Sequence, residues 1–230
     1  MPFAVASNRS WHRNLPALLA ERTGESFLLI DAPSQLTVAN LQALEVETVF
    51  LPHWSHLIPA EVFERFECVI FHMTDLPFGR GGSPLQNLIV RGIETTMISA
   101  LRCEAGVDTG PVYIKRPLSL AGSAQEIFLR ATDVIADMIV EILRVRPVPQ
   151  PQQGEATSFR RRHPTDGDWS QVASLMQVYD FIRMLDADGY PPAFVEVGRF
   201  RLEFSRAARK DGAIVADVRI TEAQNRLEAE

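Results

Sequence analysis

Between residues 3 and 73 short apolar runs alternate with stretches of helical spacing, and no other feature restricts the fold of this chain as much. FAVAS (3–7), SFLLID (26–31), ETVFLPHW (47–54) and ECVIFHM (67–73) read as strands. WHRNLPALLAE (11–21), TVANLQAL (37–44) and PAEVFERF (59–66) carry helix-like patterns between them. Strand and helix in alternation predict an α/β domain with a mostly parallel sheet and crossover helices. The runs end near Asn8, Asp31, His53 and His72. Ligands of open α/β sheets gather at the carboxyl ends of strands, so these polar residues lie where a site belongs.

TTMISALRC (95–103) and GPVYIKRPL (110–118) read as two further strands around the turn EAGVDTG, whose glycines and aspartate suit a tight reversal. Ser123 followed by Glu126 forms a capping box, and Ile127, Ala131, Val134, Ile135, Met138 and Ile142 recur behind it at helical spacing. Prolines, glutamines and a glycine then mark residues 146–157 as an extended linker. The expected division is a domain over 1–145, that linker, and a small barrel-like, OB-like α+β domain over 158–230. In the last, WSQVASLMQVYDFIRML (169–185) reads as a helix, and AFVEVGRFRLEFSRAA (193–208) and AIVADVRI (213–220) as strands separated by KDG. The polar end, TEAQNRLEAE (221–230), is expected to fray.

A hydrophobic fraction of 46% and a charged fraction of 23% are those of a globular protein, and no run reaches the roughly eighteen apolar residues of a membrane span. Without a signal-like start the expected location is cytoplasmic. Cys68 and Cys103 lie inside apolar runs without zinc-site spacing and are expected as buried free thiols. The net charge of −6 disfavours a nucleic-acid partner, which usually meets a basic stripe. An oligomer is left open.

The densest chemistry lies in FHMTDLPFGRGGSPLQNLIVRG and the later DTGPV. A buried strand delivers His72 into a segment of small residues, where a backbone can approach a ligand closely; the plain alternative is a glycine-rich surface turn. The stretch resembles the signature of the N10-formyltetrahydrofolate-dependent formyltransferases, N-x-H-x-S-x-L-P, R-G-x-x-P and D-x-G. Without a gap His72 falls on that family's catalytic histidine, Thr74 on its serine, and Leu76 and Pro77 on its leucine and proline. Arg80, Gly81 and Pro84 match the second motif, Gly92 a following glycine, and Asp108 and Gly110 the third. RRHPTDGDW and IRMLDADGYPPAF are similar to the second domain of the methionyl-tRNA and amino-arabinose members.

The resemblance implies a Rossmann-like fold for the α/β domain, and an N-formyltransferase that takes its formyl group from N10-formyltetrahydrofolate. His72 would be the base that relieves the attacking amine of its proton, and Asp108 would orient it. Leu76, Pro77, Arg80, Gly81, Gly82 and Asp108 are the expected folate contacts. The family's catalytic asparagine is replaced by Ile70, which donates no hydrogen bond to an oxyanion. His53 and His56 are the expected substitutes, with Thr74 and Asn87 behind them. His56, Arg160 and Arg161 are the expected acceptor contacts, although an arginine run also suits a plain solvated face. H-x-x-H spacing at His53 and His56 is weak ground for a metal, and none is expected. The preferred acceptor is an amino-sugar nucleotide, a small-molecule amine; methionyl-tRNA and a non-catalytic binding role are the alternatives.

Overall fold

The alternation becomes a six-stranded sheet in the computed structural model, which describes residues 2–223. Strands β1 (Phe3–Ala6), β2 (Phe27–Ile30), β3 (Thr48–Pro52) and β4 (Glu67–His72) pair in parallel in the order β2-β1-β3-β4. Helices α1 (Leu15–Thr23), α2 (Val38–Ala43) and α3 (Ala60–Phe63) are the connections. The first of these begins later than its pattern predicts. Pro16 lies in its first turn, where a missing N–H breaks no helical bond, and Ser10–His12 forms a separate 3-10 turn.

Chain order continues with β5 (Arg80–Gly81), α4 (Pro84–Ile89), β6 (Thr95–Arg102), β7 (Val112–Ser119), α5 (Ala124–Val145) and β8 (Ser158–Phe159). An antiparallel hairpin of β6 and β7 completes the sheet beside β4. At its turn a Cβ on Gly110 would stand 1.8 Å from the Arg102 carbonyl oxygen, so only glycine closes it. The expected capping box forms: Glu126 N donates to Ser123 Oγ, and Ser123 N donates to Glu126 Oε2.

Strands β1 and β3 are buried at every position, on both faces, and this is why they read as unbroken apolar runs. Ala4, Ala6, Val49, Leu51 and Cys68 face one core, against which Ile70 packs. Phe3, Phe50 and Phe71 adjoin one another in turn on the alternate positions as tilted ring pairs, with centroids 6.1 and 6.4 Å apart. By the two-residue period His72 continues the face of Cys68 and Ile70.

The chain divides into two units: one from the N-terminal segment ending at Pro84, Thr95–Ser119 and Phe128–Arg160, the other from Leu85–Glu94, Leu120–Ile127 and the segment beginning at Arg161. The second carries α6 (Leu175–Arg183), β9 (Ala193–Val197), β10 (Phe200–Lys210) and β11 (Ala213–Glu222), the strands forming an antiparallel sheet in the order β11-β10-β9. The helical pattern over 169–185 contracts to α6 because Ser174 caps it, accepting from Gln177 N, while Trp169 turns edge-on to Phe204. Of the end expected to fray, Thr221 and Glu222 in β11 instead pair with Arg201 and Phe200 of β10, and the part beyond Ala223 falls outside the described residues. The expected separation of an extended linker from the first domain is corrected. Gln150 bridges to Val112, and Gln152 and Thr157 are hydrogen-bonded within the first unit, so residues 146–157 are part of that unit and not a tether out of it.

Candidate active site

Strand β4 ends on His72, only 6% exposed, and the turn after β6 presents Asp108 to it. His72 Nδ1 lies 3.5 Å from Asp108 Oδ2. On its other side Nε2 lies 2.8 Å from the Gly79 carbonyl oxygen, which can only accept, so Nε2 carries a hydrogen. The nitrogen left to exchange a proton is therefore Nδ1, the one facing the carboxylate. Asp108 also accepts from Gly81 N at 2.9 Å and has a left-handed backbone, φ 53°, which an aspartate adopts at modest cost.

The loop between the pair is built differently from its sequence expectation. Its glycines admit another part of the chain. A Cβ on Gly79 would stand 2.6 Å from the Phe159 ring, and one on Gly81 would stand 2.5 Å from the Phe159 carbonyl oxygen. The loop's N–H groups are taken up from within: Gly79 N by Thr157 Oγ1, Arg80 N by the Thr157 carbonyl, Gly81 N by Asp108 and Gly82 N by the Phe159 carbonyl. Pairing of β5 with β8 is the outcome. Backbone donors of Arg80, Gly81 and Gly82 are thus engaged within the chain and not turned toward a ligand. Arg80 directs Nε and Nη2 at Gln152 Oε1. Leu76 is buried in the core, and its peptide bond to Pro77 is cis.

The proposed substitutes for the asparagine fare unequally. Thr74 is fully buried, with its hydroxyl directed at the Gly79 carbonyl oxygen at 3.4 Å, so it does not face an incoming substrate. His53 stacks on His12 at 5.0 Å and sets Nε2 against Met73 Sδ at 3.1 Å. Burial, then the neighbouring His12 and Arg9, hold it well below the usual histidine range, so it is neutral and cannot act as a cationic donor. His56 meets Asn8 at 3.3 Å and the edge of Trp54, and does not converge with His53. Asn87 receives Arg91 through its carbonyl and side-chain oxygens. Ile70 sits opposite Leu51 and Leu101 in the sheet, hydrocarbon among hydrocarbon. Arg160 and Arg161 are exposed, whereas Arg162 lies over the Phe181 ring and donates to the Asp166 carbonyl. Among the described residues no cluster of histidine, cysteine and carboxylate side chains could hold a metal.

Two residues were missed. His12 is completely buried, with Nδ1 2.7 Å from Ser7 Oγ and Nε2 3.0 Å from Thr132 Oγ1. The Thr132 hydroxyl donates to the Phe128 carbonyl, so it accepts from His12 Nε2–H, and the Ser7 hydroxyl donates to Nδ1. Burial, with a smaller contribution from Arg9, lowers this histidine to about 3. Gln152 is the other, and nothing in a proline-rich stretch signalled it. Cys68 and Cys103 are buried free thiols as expected, pushed up by burial to about 12 and about 11.

Fold and site together define a Rossmann-like α/β protein whose polar centre is a buried histidine, paired with a half-buried carboxylate, at the carboxyl edge of the sheet. Comparison with known proteins carries this further. Residues 14–126 match the family profile described as formyl transferase, and residues 164–221 match the methionyl-tRNA formyltransferase C-terminal domain. A solved structure described as methionyl-tRNA formyltransferase from Clostridium thermocellum is 49% identical, with TM-score 0.93 over 97% of this chain and 100% of that one. The chain belongs to the formyltransferase family. The curated methionyl-tRNA formyltransferase of Corynebacterium urealyticum is 32% identical over 61% of this chain and 46% of its own length. This chain spans about half the length of the curated relatives it matches. A sugar N-formyltransferase from a Shewanella species shares the fold at 15% identity and TM-score 0.62, over 94% of this chain and 96% of that one. Among the described residues no helix is long and apolar enough to cross a membrane.

Proposed function

We propose that this chain transfers a formyl group from N10-formyltetrahydrofolate to an amine, with His72 and Asp108 handling the amine proton. The observation that carries the reading is the fixed tautomer: Nε2–H is held by the Gly79 carbonyl, and Nδ1 faces Asp108 at 3.5 Å. The folate supplies the electrophilic formyl carbon. Nδ1 accepts the proton that the amine loses as it forms its new C–N bond, and Asp108 stabilises the imidazolium thus made. The same proton then returns to the nitrogen from which the formyl group departs. Phe78 and Val107, apolar and 37% and 61% exposed, lie one residue from Gly79 and from Asp108 and suit the flat face of a pterin.

For the acceptor, the acidic sum over the chain pointed to a small amine, an amino-sugar nucleotide first. The two relatives of at least 30% identity described above both carry the name methionyl-tRNA formyltransferase, and this favours an aminoacyl-tRNA. Net charge is a sum and says little about a local patch, which is what a phosphate backbone meets. Arg160 and Arg161 stay candidates for phosphate contact with either acceptor. The test is formyl transfer from labelled donor to methionyl-tRNA and, in parallel, to amino-sugar nucleotides, with parent and His72→Ala. Transfer to methionyl-tRNA that His72→Ala lowers by about a hundredfold or more supports the reading. Transfer to the sugar alone moves the acceptor, and transfer to neither refutes the activity.

A further inference from the structure

Gln152 makes a complete set of hydrogen bonds around the site. Its Nε2 donates to the Asp108 carbonyl and to the Gly110 carbonyl, both at 2.8 Å. Its Oε1 accepts from Arg80 Nε at 3.1 Å and from Arg80 Nη2 at 2.7 Å. Reversing the amide would set its oxygen against two carbonyl oxygens and its nitrogen against two N–H donors, so the partners fix the orientation. The two carbonyls belong to the turn that carries the Asp108 side chain, and that turn includes a left-handed aspartate. Arg80 belongs to the loop whose next residue, Gly81, donates to Asp108 Oδ2. One amide therefore grips the carboxylate's turn with its nitrogen and the carboxylate's donor loop with its oxygen.

We infer that Gln152 is a positioning residue, setting the distance and direction of Asp108 from His72 without itself touching the reacting atoms. Asp108 stands 3.5 Å from Nδ1, a separation at which small movements of the turn decide whether Nδ1, once protonated, donates a hydrogen bond to the carboxylate. Two neighbouring anchors differ in kind. Thr157 and Phe159 hold the backbone of the Gly79 loop, whereas Gln152 ties that loop to the Asp108 turn through its side chain. The glutamine is also the member of this lock whose chemistry is least replaceable. Glutamate could keep Arg80 as a partner, but it would set a carboxylate oxygen against the Asp108 and Gly110 carbonyls.

The inference rests on the proposed pairing of His72 with Asp108 in formyl transfer, and its test includes a readout independent of activity. In protein with 15N-labelled histidine, Gln152→Met and Gln152→Glu are each expected to move the His72 Nδ1 resonance in the same direction as Asp108→Asn. Glutamate tests the donors with Arg80 still engaged, and methionine removes both functions at nearly constant volume. Circular dichroism and urea midpoints show which variants are folded. In kinetics, kcat is expected to fall about ten- to a hundredfold with KM for the folate donor little changed, the signature of misplacement and not of lost binding. A Nδ1 resonance unmoved in both folded variants overturns the inference, as does a fall in activity that appears only as a raised KM. Absence of formyl transfer by the parent would refute the proposed activity instead, and the resonance measurement would still decide the role of Gln152.

Discussion

The histidine that no site motif contains makes the sharpest quantitative claim. In the folded chain His12 is neutral down to about pH 3, enclosed by Ser7 and Thr132, whereas an unfolded chain leaves it at the ordinary 6.5. Below pH 6.5 the unfolded state therefore binds a proton that the folded state refuses, and stability falls as pH falls. Each pH unit of that window is worth about 1.4 kcal/mol, so descent from pH 7 to pH 5 should cost roughly 2 kcal/mol from His12. His53, also held low by burial, adds in the same direction. Urea unfolding of parent and His12→Asn at both pH values measures this as a double difference. Asparagine loses hydrogen bonds and is expected to be less stable at pH 7 by about 1 to 3 kcal/mol. Its further loss on going to pH 5 should be smaller than the parent's by roughly 2 kcal/mol. Equal losses in parent and variant would refute both the neutral state and the proton assignment drawn from the Ser7–His12–Thr132 chain.

Two further outcomes are expected. Gly81→Ala combines a backbone φ of 99° with a Cβ 2.5 Å from the Phe159 carbonyl, and should destabilise by about 2 kcal/mol or more in thermal unfolding; a wild-type midpoint would show that the β5–β8 contact yields easily. Ile70→Asn sets an amide among Leu51, Leu101 and the core beneath, at a cost of about 1 to 3 kcal/mol, while restoring a donor at the family position; single-turnover transfer should rise, and an unchanged or lower rate in folded variant would place the oxyanion elsewhere.

What the sequence disclosed follows a physical division between local and distant partners. The strand run ending at His72, the turn around Asp108 and the capping box at Ser123 depend on neighbours within a few residues, and all were legible. His12 was not, because its burial is completed by Thr132, far along the chain, and its own surroundings look like the start of an amphipathic helix. The glycines at 79 and 81 were noticed for the right property and assigned the wrong beneficiary, since Phe159 lies in a segment whose composition spells linker. His53 at a strand end satisfied the rule for a site residue. The ring stack on His12 turned it aside, and sequence position carries no sign of a side chain's direction.

The backbone contact of Gly79–Gly82 with Thr157 and Phe159 bears on where this protein can be cut. A fragment ending at Val145, where composition sets the edge of the first domain, would contain His72 and Asp108. It would leave Gly79, Arg80 and Gly82 without the acceptors that Thr157 and Phe159 give them, and it would strip Asp108's turn of Gln152. During synthesis the same order holds in time: His72 and Asp108 are made first and the residues that lock them follow. Any minimal version of the first unit has to run through Arg160.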